Sequence, residues 1–114
     1  MAVTDWKSFT DQTSQRMAEA RKAFPATAKA FGDLAKAAIA PGVLDSKTKE
    51  LIALSIGIAM RCDGCLAFHV KAAHKYGATR EEVAEAIAVA VYMGGGPSMI
   101  YGAEALDAWD QLTA

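Results

Sequence analysis

The residues best suited to chemistry lie in one short run, Cys62-Asp-Gly-Cys65-Leu-Ala-Phe-His69. Successive residues of an α-helix turn by about 100°, so Cys62, Cys65 and His69 would share one narrow face. Residues three apart on a helix have Cα atoms about 5 Å apart, which is within the range that a disulfide spans. The spacing therefore predicts a cysteine pair that opens and closes a disulfide with little backbone movement.

Two features of this run favour the ionised, reactive form of a thiol. The helix is predicted to begin at the cysteines, and the positive end of a helix stabilises a thiolate. His69 follows Cys65 by four residues, which places the imidazole over the second thiol. A helix N-terminus and a nearby imidazole commonly lower the pKa of a thiol below its ordinary value of about 8.5. The predicted chemistry is thiolate attack on a peroxide or on a disulfide.

Glu50 is the fourth candidate, although it precedes Cys62 by 12 residues. If the third and fourth helices form an antiparallel hairpin that turns near Arg61, the helical rise places Glu50 and His69 about 6 Å apart along the axis. The Glu50 side chain can span that gap directly or through one water, and would then orient the imidazole. The predicted relay runs from Glu50 to His69 to Cys65, with Cys62 closing the disulfide.

About six helical segments are predicted to position these residues, and no strand. Alanine supplies 25 of the 114 residues and proline only 3, a composition that favours helix. Capping residues, prolines and glycines mark the boundaries. The segments run from Thr4 or Asp5 to Ala23, from Pro25 to Pro41, from Asp45 or Ser46 to Met60, from the cysteine turn to Tyr76, from Thr79 to Gly94, and from Pro97 onward. We predict an all-α compact bundle that forms one domain over residues 1–114.

The third segment carries an unusual apolar run from Leu51 to Met60, which has no polar side. A helix of that kind is buried all round, either in the core or against other subunits. A chain of this size offers limited interior for such a helix, so we expect a homotrimer or a homohexamer. Ten residues are too few to span a membrane.

The charge balance argues against several classes of partner. With 12 basic and 13 acidic residues the net charge is −1, which gives no electrostatic footprint for nucleic acid or for an anionic membrane surface. The start of the chain lacks the basic and apolar regions of a secretory signal, so we expect a cytoplasmic protein. In that reducing compartment two cysteines are catalytic or metal-binding more often than a structural disulfide.

A zinc site is the main competing interpretation of these residues. Cys62, Cys65 and His69 supply three suitable ligands for an open site, but no fourth ligand is evident and His74 lies on another face. Neither a metal nor a cofactor is needed for the predicted thiol chemistry. Met60 and Met93 are expected in the core or at an interface, rather than in a substrate pocket.

The arrangement Glu50, eleven residues, then Cys62-x-x-Cys65-x-x-x-His69 resembles the signature of the alkylhydroperoxidase D-like branch of the carboxymuconolactone decarboxylase family. The segments around Glu50 and from Met93 to Pro97 also resemble it, so that the similarity covers about residues 46–106. The resemblance implies an all-α fold that assembles as trimers or hexamers. It also implies a thiol peroxidase or disulfide reductase of antioxidant type.

The resemblance further implies a role for each of the four residues. A Glu50–His69 relay deprotonates Cys65, the reactive thiolate attacks a hydroperoxide, and Cys62 is the disulfide partner. An external dithiol, in at least one branch carried by a lipoyl-bearing protein, restores the reduced pair. The sequence departs from the alkylhydroperoxidase proper at Gly64, where that enzyme has a second histidine. A general thiol–disulfide oxidoreductase and a non-catalytic oligomeric protein with a vestigial site therefore remain as alternatives.

Overall fold

Six helices make up the regular structure of residues 4–114, the part of the chain that the computed structural model describes. They are α1 Trp6–Ala23, α2 Pro25–Ile39, α3 Ser46–Ala59, α4 Asp63–Lys75, α5 Arg80–Gly94 and α6 Gly96–Leu112. Within these residues there is no strand, which confirms the predicted all-α bundle. None of the six helices has the length and hydropathy needed to cross a membrane. The first three residues, on which the start of the predicted domain and the absence of a secretory signal depend, lie outside the described residues.

Short polar side chains set the helix starts, as the sequence predicted. The side chains of Asp5, Asp45 and Thr79 each accept a hydrogen bond from the amide three residues later. These amides have no partner inside the helix, so each cap removes an unpaired donor. Glu82 returns the contact by accepting from the Thr79 amide, which completes a capping box. Pro25 opens α2, where a missing amide hydrogen carries no penalty.

Helices α3, α4, α5 and α6 enclose the core, and α3 packs against both α4 and α5. Leu54, Ile58 and Leu66 are completely buried where α3 meets α4. The remaining helix that reaches the core is α1, whose Trp6 is buried. The indole N–H of Trp6 donates to Asp107 Oδ2 on α6 at 3.1 Å, so this large side chain is both buried and satisfied.

The apolar stripe predicted on α2 is present but is not buried within one chain. Phe31 and Leu34 are 64% and 63% exposed, and α2 contains no buried residue. The apolar run of α3 is likewise covered on one side only, because Ile52 and Ile56 are about half exposed and Met60 is 74% exposed. Burial of these faces would need other subunits. The homotrimer or homohexamer stays a prediction.

A tight turn joins α3 to α4 and sets their separation. Arg61 adopts a left-handed backbone conformation with φ 57°, and the amide of Cys62 donates to the Gly57 carbonyl at 3.0 Å. At Gly57 the helices come so close that a Cβ atom built there would lie 2.8 Å from Cβ of Cys65. Only glycine therefore permits this approach without a shift of the backbone.

Substitution of Gly57 by alanine tests this contact. The added methyl group has to push α4 away from α3, and we expect Gly57→Ala to lower the free energy of unfolding by about 1–3 kcal/mol. Gly64→Ala is the matched control, since it adds the same group to α4 with no neighbouring atom within 4 Å. The control should be neutral or stabilising by up to about 1 kcal/mol. Urea denaturation measures both, and equal effects of the two substitutions would contradict the close contact.

The first turns of α3 and α5 are joined by an ion pair that makes stability depend on pH. Lys47 Nζ lies 2.9 Å from Glu82 Oε2. The hydrogen bond from Lys47, followed by the one that involves the Thr79 backbone, lowers the pKa of Glu82 below its ordinary value of 4.5. A group with a lowered pKa in the folded state stabilises the fold above its ordinary pKa, and this contribution is lost as the pH falls through the lowered value.

Accordingly, Glu82→Gln should reduce stability at neutral pH, while the difference from wild type disappears near about pH 3. Glutamine can still complete the capping box, so the comparison isolates the charge. Glu81→Gln removes a neighbouring charge from the same helix turn and serves as the control. Urea denaturation at the two pH values measures the effect, and a difference that persists unchanged in acid would refute this role of the carboxylate.

Candidate active site

The turn between α3 and α4 brings the two predicted cysteines to the start of α4. Cys62 is the N-cap residue, with an extended backbone, and its Sγ accepts a hydrogen bond from the Cys65 amide at 3.1 Å. The Cα atoms of the pair are 5.2 Å apart, close to the predicted separation, and the two sulfur atoms are bonded to each other. Cys62 thus occupies the position where a helix amide stabilises negative charge on sulfur.

Glu50 and His69 meet directly across the same hairpin. Glu50 Oε2 lies 2.7 Å from His69 Nδ1, so no bridging water is required. The predicted offset of about 6 Å along the axis was too large, because α3 ends at Ala59 and α4 begins at Asp63. Counted from these helix ends, the offset is about 4.5 Å, which the Glu50 side chain spans alone.

The Glu50 carboxylate is placed where it can act on little except this imidazole. Its side chain is only 6% exposed, whereas that of His69 is 32% exposed. Among residues 4–114, His69 is the only hydrogen-bond partner of the Glu50 side chain. A buried carboxylate with a single partner is costly unless that partner carries or shares a proton. The pairing engages Nδ1 and leaves Nε2 as the imidazole nitrogen that is free for other groups.

The disulfide and His69 line an open cavity of about 350 Å³, which we call the redox cleft. Its other walls come from α3 and its C-terminal residue, namely Ala53, Ile56, Gly57 and Met60. Sequence reasoning placed Met60 in the core or at an interface and did not single out Ile56. The signal that could have identified them is their spacing of four residues, which puts both on the side of α3 that carries Ala53. The redox cleft is therefore apolar except at the reactive groups themselves.

Acidic side chains lie beside the first turn of α4. Partial burial, and secondarily the negative charge of Asp63, raise the pKa of Glu104 above its ordinary value. Asp63 itself occupies the first turn of α4, where the helix dipole favours a negative charge. The charges around the cysteine pair are thus acidic, while the imidazole of His69 is the cationic group within the cleft when it is protonated.

The competing zinc interpretation finds no support in this geometry. The bonded sulfur atoms leave neither cysteine as a thiolate ligand, and within residues 4–114 no three His, Cys, Asp or Glu side chains are arranged to hold a metal ion. His74 lies one helix end away, where its ring stands edge-on to Trp109 with centroids 5.3 Å apart. It is exposed and takes no part in the redox cleft.

Comparisons with known proteins identify relatives of the whole arrangement. The sequence profile of the carboxymuconolactone decarboxylase family matches residues 25–108. An uncharacterized protein of Cupriavidus necator is 38% identical over 112 residues, which span 98% of this chain and 99% of the relative. These matches extend well beyond the cysteine motif, into the helices that hold it.

Solved structures of the same family share the fold. A family member from Legionella pneumophila superposes with a TM-score of 0.92 at 44% identity, and the match covers 96% of this chain and 97% of the other. A family protein from Thermotoga maritima, with a suggested involvement in antioxidative response, has a TM-score of 0.73 at 31% identity over 86% of this chain and 90% of its own. The predicted family and fold class are confirmed.

The Glu50–His69 pair can be tested on the reduced protein by the rate of thiol alkylation. If His69 promotes ionisation of Cys65, His69→Gln should slow alkylation at neutral pH by about tenfold, and move the pH profile towards that of an ordinary thiol. Glu50→Gln should shift the profile in the same direction by a smaller amount. His74→Gln, on the same helix but outside the redox cleft, is the control. Identical profiles for all four proteins would show that the pair does not act on the thiols.

Proposed function

The chain belongs to the carboxymuconolactone decarboxylase family, and from this membership and the site geometry we infer that it is a thiol-dependent hydroperoxide reductase of antioxidant type. The observation that carries the proposal is the 2.7 Å contact between Glu50 and His69 beside the Cys62–Cys65 pair. A redox-active pair, a base and a carboxylate that orients the base meet in one accessible cleft. These are the groups that nucleophilic thiol catalysis requires.

In the first step His69 accepts the proton of the Cys65 thiol, with Glu50 stabilising the resulting imidazolium. The Cys65 thiolate attacks the outer oxygen of the hydroperoxide, so that an S–O bond forms and the O–O bond breaks. The leaving alkoxide takes a proton from the imidazolium and departs as the alcohol. Cys65 is then a sulfenic acid, oxidised by two electrons, and the hydroperoxide has been reduced by the same two.

In the second step Cys62 attacks the sulfur of the Cys65 sulfenic acid. An S–S bond forms, the S–O bond breaks, and hydroxide leaves with a proton as water. The position of Cys62 at the N-cap favours this step, because its thiolate is stabilised by the Cys65 amide. The product is the closed disulfide, and an external dithiol then reduces it by exchange. The family resemblance implies a lipoyl-bearing protein as the donor.

A second candidate is general thiol–disulfide exchange without preference for peroxides. The N-cap position of Cys62 favours it as well, because a stabilised thiolate is a good leaving group when the disulfide is opened. Gly64 points the same way, since no auxiliary histidine stands between the cysteines. The two functions differ in the oxidant that closes the pair faster, a hydroperoxide or a small disulfide.

Stopped-flow measurement of thiol loss with a hydroperoxide tests the proposed roles of the cysteines. Cys65→Ser should abolish the reaction, because the remaining thiol lacks the adjacent base. Cys62→Ser should still consume one equivalent of hydroperoxide, and accumulate a sulfenic acid that a dione reagent traps. Neither variant should turn over in the presence of an external dithiol that works with wild type.

Full turnover by Cys65→Ser would overturn the mechanism. Rapid closure of the wild-type pair by a small disulfide, combined with slow thiol loss in hydroperoxide, would instead establish the exchange function.

A further inference from the structure

A second apolar groove begins where the redox cleft ends. It lies between α3 and α5, has a volume of about 350 Å³, and includes Ile52 and Val89 in its walls. Ile56 lines both this groove and the redox cleft. The two cavities are therefore neighbours along α3, and the groove provides an apolar surface that starts beside the disulfide.

The chemistry of the groove matches a hydrocarbon and little else. Ile52, Ile56 and Val89 are 45%, 53% and 60% exposed, so their apolar surfaces face the groove without a covering group. The Ser55 hydroxyl is turned onto the carbonyl oxygens of Leu51 and Ala86, both at 3.0 Å, and so is already engaged. A polar ligand would lose its water here without gaining hydrogen bonds, whereas an apolar one gains by burial.

The shape of this surface favours an extended occupant. Ile52, Ile56 and Met60 recur every four residues, so they form one stripe along α3. The eight residues from Ile52 to Met60 correspond to about 12 Å at the helical rise. A flexible chain laid along this stripe would have its far end between Ile52 and Val89 and its near end at the disulfide.

We propose that the substrate is a hydroperoxide on a long hydrocarbon chain, of the fatty-acid type, and that Ile56 and Val89 determine this specificity. This inference rests on the proposed function, since the hydroperoxide end has to reach Cys65. Hydrogen peroxide and short hydroperoxides would meet the same thiolate, but leave the groove empty. A second copy of the chain fits the groove less well, because a subunit seated on Ile56 would also close the redox cleft to its external reductant.

The test compares kcat/KM for hydrogen peroxide, tert-butyl hydroperoxide and a long-chain fatty-acid hydroperoxide kept below its micelle concentration. We expect the long-chain substrate to exceed the short one by about tenfold or more, because each buried methylene adds binding energy. Val89→Asp should remove about tenfold from the long-chain value and leave the hydrogen peroxide value unchanged. Ile100→Asp is the matched control, since Ile100 is 66% exposed and lines neither cavity.

Failure of this inference is distinguishable from failure of the proposed function. Equal kcat/KM values for all three hydroperoxides would overturn the specificity and leave the reductase in place, whereas no thiol loss with any of them would overturn the reductase.

Binding provides a readout that does not depend on turnover. Titration calorimetry of the oxidised protein with the long-chain alcohol should show binding that Val89→Asp weakens by about tenfold, and an absence of binding to wild type would refute the groove assignment. Light scattering of Val89→Asp completes the test. A fall in particle mass relative to wild type would mean that a second copy covers the groove, and would also overturn the inference.

Discussion

The close approach of α3 and α4 at Gly57 is the constraint on which the candidate site depends. The hairpin turns over three residues only, with Arg61 in a left-handed conformation and the Cys62 amide tied to the Gly57 carbonyl. With so short a turn, the two helices run side by side from their first shared residues. A carboxylate on one and an imidazole on the other then lie at hydrogen-bond distance, although 19 residues separate Glu50 from His69. Side chains locked by packing hold such geometry more accurately than a loop could.

The same hairpin divides the redox chemistry between two different environments. Cys62 lies outside the helix proper, at the N-cap, where a backbone amide contacts its sulfur. Cys65 lies inside the first turn of α4, on the side of the helix from which His69 projects one turn later. In the proposed reaction the first environment suits a thiolate that attacks a sulfenic acid or leaves during exchange. The second suits a thiol that must give its proton to a base. The pair is therefore asymmetric even though its sequence motif is nearly symmetric.

Local features of the structure were predictable because their causes are local. The caps at Asp5, Asp45 and Thr79 follow from a short polar side chain that precedes a helical pattern. The separation of the Cys62 and Cys65 Cα atoms follows from helical geometry and agrees with the observed 5.2 Å. Burial was less predictable, since an apolar stripe reveals that a surface seeks cover and not what covers it. The stripe on α2 illustrates this, because Phe31 and Leu34 remain exposed within one chain.

The amino-acid sequence by itself determined the helices, the identity of the cysteine pair and the imidazole that follows it one helical turn later. Each of these depends on residues within about four positions of one another, where helix geometry leaves little freedom. Glu50 was accessible from the sequence only through an assumed hairpin and a family resemblance. Tertiary structure alone decided that its carboxylate touches His69 without an intermediary, and that Ile56 and Met60 wall the redox cleft. Those contacts depend on the length of one turn and on the missing side chain at Gly57, and a periodic pattern records neither.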